Sequence, residues 1–288
     1  MTLPCSSRCL NRRRLLLGTV AGWAGMQGQH LSAKEAAVRV GLVPYLSTRT
    51  MLNVYEPLRK HLQAHIGRPV EFYTAAGFAA LTENARSPSQ PFTLLPMHLA
   101  YLATTEWGCV LVARSTQESA MHLWAPRGLG ALQGTGTALR GRRVAVIDPL
   151  SMSTLMFERW RTSVQLDGAL STQVFPGLNS AVMAVSRGDA DLVVAAIGQL
   201  RDLSGLDPDE FQSVAALGTV LRPAFVAQRD TPAPLVAAFR AALLSFRPAP
   251  SGGASSALWA EGSARDFEPY RDMAMQARRV LARGLPSR

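Results

Sequence analysis

Cysteine is scarce in this 288-residue chain: Cys5 and Cys9 lie close to the start, and Cys109 stands alone in the interior. A lone cysteine past residue 33 cannot form an internal disulfide, and none follows the first apolar run to accept a lipid. Catalytic signatures are missing too. No Ser-x-x-Lys, Gly-x-Ser-x-Gly, His-Glu-x-x-His or paired-carboxylate arrangement stands out, so a binder without catalytic residues or cofactor is expected. Basic residues outnumber acidic ones, 30 to 20, but they are scattered. Without a stripe of Lys and Arg interleaved with aromatics, nucleic acid is not an expected partner, and attraction of small anions is the modest inference. His61 and His65 are spaced to share a metal on a helix face, yet no third ligand is near and no metal site is expected. There is no short repeat and no low-complexity run.

No apolar run reaches the length of a membrane span. The longest candidate, Leu15 to Met26, follows Arg8 and Arg12-Arg13-Arg14 and precedes Leu31-Ser32-Ala33. That order of charged, apolar and cleavage regions predicts an export signal over residues 1–33. Asn11-Arg12-Arg13-Arg14-Leu15-Leu16 gives it a twin-arginine character. Those residues hold four basic and no acidic side chains, which leaves 26 basic against 20 acidic in the remainder.

The stretch that organises the rest is Arg143 to Thr154. Arg143-Val144-Ala145-Val146-Ile147 has strand character, Asp148-Pro149-Leu150 turns, and Ser151-Met152-Ser153-Thr154 opens an amphipathic helix. The first turn of a helix has N–H groups without intrahelical partners and the positive end of the peptide dipole, so hydroxyls there can join in binding an oxyanion. The competing reading is an ordinary serine cap. A second copy of the arrangement stands earlier. Val38 to Pro44 reads as a strand entering a parallel sheet, and Tyr45-Leu46-Ser47-Thr48 then opens a helix with Leu52, Tyr55, Leu58 and Leu62 on one face, ended by Gly67.

Between and after these copies, strands and helices alternate. Strands are expected at Val70–Thr74, Phe92–Leu95, Val110–Ala113, Met121–Trp124, Thr172–Phe175, Asp191–Ala195, Val214–Leu217 and Ala224–Ala227. Helices are expected at Phe78–Arg86, Met97–Thr105, from Ser180 to Arg187, from Thr231 to Phe246 and over Phe267–Ala282. Gly128–Gly136 and Pro248–Ser256 read as loops. Such alternation argues for βαβ units whose ligand crevice lies at the carboxyl ends of the strands.

Several of these stretches, taken together, resemble a known family. They are Val40-Gly41-Leu42-Val43-Pro44-Tyr45, Pro57-Leu58, Gly67-Arg68-Pro69-Val70, Leu139 to Ala145, Asp148-Pro149, Ser151-Met152-Ser153, Ala184-Val185 and Gly188-Asp189-Ala190-Asp191. In this order they are similar to the phosphate/phosphite/phosphonate-binding proteins of ABC importers. The resemblance implies an α/β, two-lobed type II periplasmic-binding fold, each lobe a mostly parallel sheet flanked by helices. Lobe 1 would comprise 34–116 and 222–288 and lobe 2 would comprise 117–221, with crossings near Ala113–Ser119 and Leu217–Pro223. It also implies a ligand between the lobes, held by both helix starts.

On the resemblance, Tyr45 matches a ligand-contacting tyrosine, and Ser151 and Ser153 match the serines of a Ser-Thr-Ser motif. Met152 replaces the threonine, and Asn179 stands where a histidine is usual. Leu221 to Val226 contains no acidic residue to match the aspartate that meets a ligand amino group, which argues against aminoalkyl phosphonates. The second tyrosine would fall near Leu99, beside His98 and Tyr101. The expected ligand residues are therefore Tyr45, Ser47, Thr48, His98, Ser151, Ser153, Thr154 and Asn179. The expected protein is a periplasmic, monomeric solute-binding protein that passes a small oxyanion to an inner-membrane ABC permease. Two alternatives stand beside it: a subunit reporting arsenite or another oxyanion to a sensor kinase, for which the Cys109 thiol would suit arsenite, and a periplasmic enzyme on the same fold.

Overall fold

The computed structural model describes residues 36–129, 136–248 and 257–283. The expected export signal and parts of the Gly128–Gly136 and Pro248–Ser256 loops lie outside the described residues. The chain begins with β1 (Val38–Leu42), α1 (Thr48–Ile66), β2 (Val70–Thr74), α2 (Phe78–Arg86), β3 (Phe92–Leu95), α3 (Met97–Thr105) and β4 (Val110–Ser115). There follow β5 (Glu118–Pro126), α4 (Gly136–Leu139), β6 (Arg143–Val146), α5 (Met152–Ser163), β7 (Ser171–Val174), α6 (Leu178–Ser186), β8 (Leu192–Ala196), α7 (Ile197–Arg201) and β9 (Phe211–Leu221). The last stretch holds β10 (Ala224–Ala227), α8 (Ala233–Ser245), β11 (Trp259–Ala260) and α9 (Arg271–Arg283).

These strands form two sheets, ordered β11-β4-β10-β3-β1-β2 and β7-β6-β8-β5-β9. The chain thus leaves the first sheet after Ser115, builds the second, and returns after Leu221. Parallel pairs, β1 with β2 and β3, and β6 with β7 and β8, form one side of each sheet. The other side is antiparallel, because β10 lies between β3 and β4 and β5 lies between β8 and β9. Strands buried on both faces favour apolar side chains, and β3, β8 and β10 are buried at every position with Thr93 as their one polar side chain.

Local chemistry fixes the helices. In α1 the side chain of Ser47 accepts the Thr50 N–H, Met51, Tyr55, Leu58 and Leu62 face the core, and Gly67 closes the helix with φ of 72° while its N–H bonds Gln63 O. Ring stacking fixes α8 on the first sheet: Phe239 lies 3.9 Å from Phe92 and meets Phe225 edge-on at 5.5 Å. The pair His61 and His65 lies on α1 against α8, where His61 Nε2 is 2.8 Å from Ala242 O. Among the described residues no helix is long and apolar enough to cross a membrane.

Candidate functional site

At the end of β6 the buried strand turns through Asp148, Pro149 and Leu150 into α5. Asp148 Oδ1 accepts the Leu150 N–H at 2.9 Å, which fixes the turn, and Ser151 caps the helix by accepting the Thr154 N–H at 3.2 Å. Ser151 Oγ donates to Thr154 Oγ1 (2.8 Å), and Thr154 Oγ1 donates to Ile147 O (3.0 Å). The hydroxyl protons of Ser151 and Thr154 are therefore committed to the protein. Ser153 is held more weakly: with the Ser151 proton on Thr154, Ser153 Oγ donates to Ser151 Oγ at 3.2 Å and bonds no main-chain group, so a ligand oxygen can take this proton over. By helix geometry the N–H groups of Met152 and Ser153 have no partner inside α5.

This helix start faces a cavity of about 90 Å³ bounded by both halves of the molecule. The first half contributes Val43, Tyr45, Tyr55, Phe78 and Pro96, and α5 contributes Ser151, Met152 and Ser153. The rest comes from Ser119 and Met121 on β5, from Gly198, Gln199 and Asp202 at α7, and from Val220 to Pro223 on the return crossing. Tyr45 and Tyr55 are hydrogen-bonded to each other, and burial pushes both phenols up, Tyr55 to about 12. Both stay protonated, and since one gives its proton to the other, one O–H of the pair is left to donate. Small and mostly apolar, with neutral donors from the tyrosine pair and α5 and the charged Asp202 and Arg222 also in its wall, the cavity can hold a compact anion by directed hydrogen bonds.

Hydrogen bonds between the halves surround it. The Phe78 N–H, at the start of α2, reaches Asp148 Oδ2 at 3.2 Å. The Leu178 N–H, at the start of α6, reaches Tyr45 O at 2.9 Å. Neither helix has a side-chain cap of its own, so each half supplies the acceptor that the other half's helix start lacks. The Ser47 N–H donates to Asn179 Oδ1 at 3.1 Å, and His98 Nε2 lies 2.9 Å from Leu150 O. A carbonyl only accepts, so the His98 ring carries its proton on Nε2.

Of the eight residues expected at the site, Tyr45, Ser151 and Ser153 line the cavity. Ser47, Thr48 and Asn179 instead line a separate, open cleft, where Thr48 Oγ1 also meets Thr74 Oγ1 at 2.8 Å. The start of α5 is in the cavity wall, whereas the start of α1 is not. Thr154 sits behind Ser151, and His98 is fully buried behind Leu150. Cys109 is also outside the wall. Its thiol donates to Ala85 O at 3.5 Å, and burial pushes it up to about 11, so it stays protonated and a poor arsenite ligand.

Sequence reasoning missed Tyr55, Asp202 and Arg222. Tyr55 reads as a core position of α1, and it is one that also reaches the cavity. Asp202 caps the five-residue α7, too short to show a period, and Arg222 lies in a crossing turn. An acidic side chain is absent from 221 to 226, yet one reaches the cavity from α7.

A family profile described as "ABC transporter, phosphonate, periplasmic substrate-binding protein" matches residues 40–274. No curated protein sequence matches the chain. The structure of a Prochlorococcus marinus protein in complex with methylphosphonate superposes with a TM-score of 0.71 at 11% identity, covering 84% of this chain and 98% of that one. A binding-protein component of a phosphonate ABC transporter from Pseudomonas aeruginosa gives 0.70 at 13% identity, covering 87% and 89%. MatC from Rhodopseudomonas palustris, with bound malate, gives 0.57 at 16% identity, covering 82% and 99%. The common element is the two-lobed α/β architecture.

Proposed function

Since this chain belongs to the periplasmic substrate-binding protein family of phosphonate ABC transporters, we propose that it captures a small phosphonate-like oxyanion in the cavity beside α5. In this reading residues 1–33 direct export to the periplasm. Residues 34–116 with 222–288 form one lobe and 117–221 the other, and the closed pair delivers its ligand to an inner-membrane ABC permease without chemical change. The observation that carries the reading is the start of α5. Its residues Ser151, Met152 and Ser153 line the cavity between the two sheets, where a first helical turn offers N–H groups without intrahelical partners.

Tyr45 and Ser153 are then the direct contacts, and Ser151 and Thr154 hold the helix start in shape. Ser47 and Asn179 act at the closing seam, not on the ligand. Titration calorimetry and small-angle scattering with methylphosphonate, phosphite, phosphate and sulfate test the whole. Binding with compaction for at least one phosphorus oxyanion is expected, and no response to any of the four ends the reading.

Two substitutions separate the roles. Ser153→Ala deletes a donor and leaves the cap bond from the Thr154 N–H to Ser151 Oγ in place, so ligand affinity should fall by about 1.4 kcal/mol, roughly tenfold. Unchanged affinity would show that the hydroxyl does not reach the ligand. Asn179→Ala removes a bond at an exposed seam where water can substitute, so affinity should fall less than about fivefold. A loss of a hundredfold in calorimetry would put the amide back in direct contact with the ligand.

A further inference from the structure

Both crossings between the sheets are held by one later stretch of chain, residues 257–270. That stretch is anchored to the first half: β11 pairs with the end of β4, Trp259 opposite Ser115, and the Trp259 ring lies 4.9 Å from that of Phe225 on β10. Further along, Asp266 forms an ion pair with Arg114 at 3.0 Å. From this anchored position Leu258 O accepts the Thr116 N–H at 3.0 Å in the outgoing crossing. The Tyr270 hydroxyl oxygen accepts the Leu221 N–H at 2.7 Å where the return crossing begins. A third bond, from the Arg222 main-chain N–H to Gln117 O at 2.9 Å, ties the two crossings to each other.

The Tyr270 bond differs from the others because its two ends belong to different halves. Leu221 is the last residue of β9, at the edge of the second sheet and opposite Glu118 on β5. In an antiparallel ladder alternate residues turn their N–H away from the partner strand, and this one is taken by a buried side chain of the first half. Leu221, Arg222 and Pro223 are part of the cavity wall, whereas Tyr270 is outside it. A rotation of the second half about the crossings moves the Leu221 N–H relative to an oxygen fixed to the first, and a hydrogen bond tolerates little displacement. Resting on the reading above, in which the halves shut on an oxyanion, we propose that Tyr270 is a positioning residue for capture. Its hydroxyl holds the return crossing in the arrangement that encloses the cavity, opening gives the bond up, and the bond thereby sets how much of the vacant protein is already shut.

Tyr270→Phe keeps the ring and deletes the acceptor, and urea unfolding first establishes that the variant folds. Small-angle scattering without ligand should then give the variant a larger radius of gyration than the wild type. In calorimetry the tightest binder among methylphosphonate, phosphite, phosphate and sulfate should lose roughly fivefold in affinity, because apparent affinity scales with the fraction of protein in the competent form. An equal radius would overturn the proposal even with a lower urea midpoint, since the bond would then be one that opening leaves intact. Unchanged or tighter binding would overturn it too, since capture would not draw on this bond. A larger radius, with none of the four bound by the wild type, would uphold the hold of Tyr270 on the halves and sink the oxyanion reading instead. Amide exchange of the wild type gives a check that needs no variant. In the ligand-saturated protein the Leu221 N–H should exchange at least about threefold more slowly than in the vacant one, and an equal rate would overturn the proposal.

Discussion

Asp148→Ala is expected to destabilise the folded chain by about 4 kcal/mol, because two buried N–H groups lose their acceptor at about 1–3 kcal/mol each. The carboxylate is 5% exposed and accepts from Leu150 in its own turn and from Phe78 at the start of α2. No solvent is at hand to take its place at either donor. The loss falls on the seam as well as on the turn, since one of the two bonds joins the halves. Equilibrium urea unfolding gives the magnitude, and scattering of the folded variant should show a larger radius of gyration than the wild type. Asp148→Asn keeps one acceptor oxygen and should fall between the two. A cost below about 1 kcal/mol for the alanine variant would mean that the two donors find other partners.

The second large effect is a pH dependence set by His98. Burial depresses this imidazole in the folded chain to about 4, with the Leu150 hydrogen bond partly opposing it, whereas an unfolded histidine titrates near about 6.5. Between those values the unfolded chain binds a proton that the folded chain refuses. Stability from this group is thus fully present above about pH 6.5, falls as the pH drops toward about 4, and is not reduced further below it; the total is about 3 kcal/mol. Carboxylates titrate in part of the same window, so the measurement is a difference. Urea midpoints for wild type and His98→Gln are compared between pH 7 and 4.5. Gln retains an N–H for Leu150 O and carries no titrating proton, so its curve should be flatter. Parallel curves would mean that His98 is not held neutral and buried.

What was legible in the sequence follows from which signals are local. The run from Arg143 to Ile147 and the serine after it carry their own strand and cap chemistry, and the strand forms over Arg143–Val146 with the Ser151 cap, while the helix after Ser47 buries Tyr55, Leu58 and Leu62 as read but Met51 in place of Leu52. The strands expected at Met121–Trp124 and Val214–Leu217 are the middles of longer strands, β5 and β9, whose ends pair across the sheet, Glu118 with Leu221 and Pro126 with Phe211. Propensity alone does not extend a strand through Glu118 or Thr219. The two-residue β11 and the five-residue α7 are too short to show any period. In the candidate site the limit is of another kind. Spacing makes Ser151, Ser153 and Thr154 look alike, and only the bonds to Thr154 and Ile147 O reveal which protons are already used. Likewise, Asn179 follows a glycine turn exactly as a ligand-binding amide would, yet the structure turns it to the Ser47 N–H.

The exchanged caps on α2 and α6 bear on how a transport partner tells a loaded binding protein from an empty one. Asp148 and the Tyr45 carbonyl reach across the seam to protein donors, so their attraction operates with the cavity vacant as well as filled. Shape alone would then be an ambiguous message. A permease docking on these halves would have to sense how long they stay shut, a lifetime that cargo prolongs, and the leakiness of uptake would be governed by two helix starts whose N–H groups bond protein and not cargo.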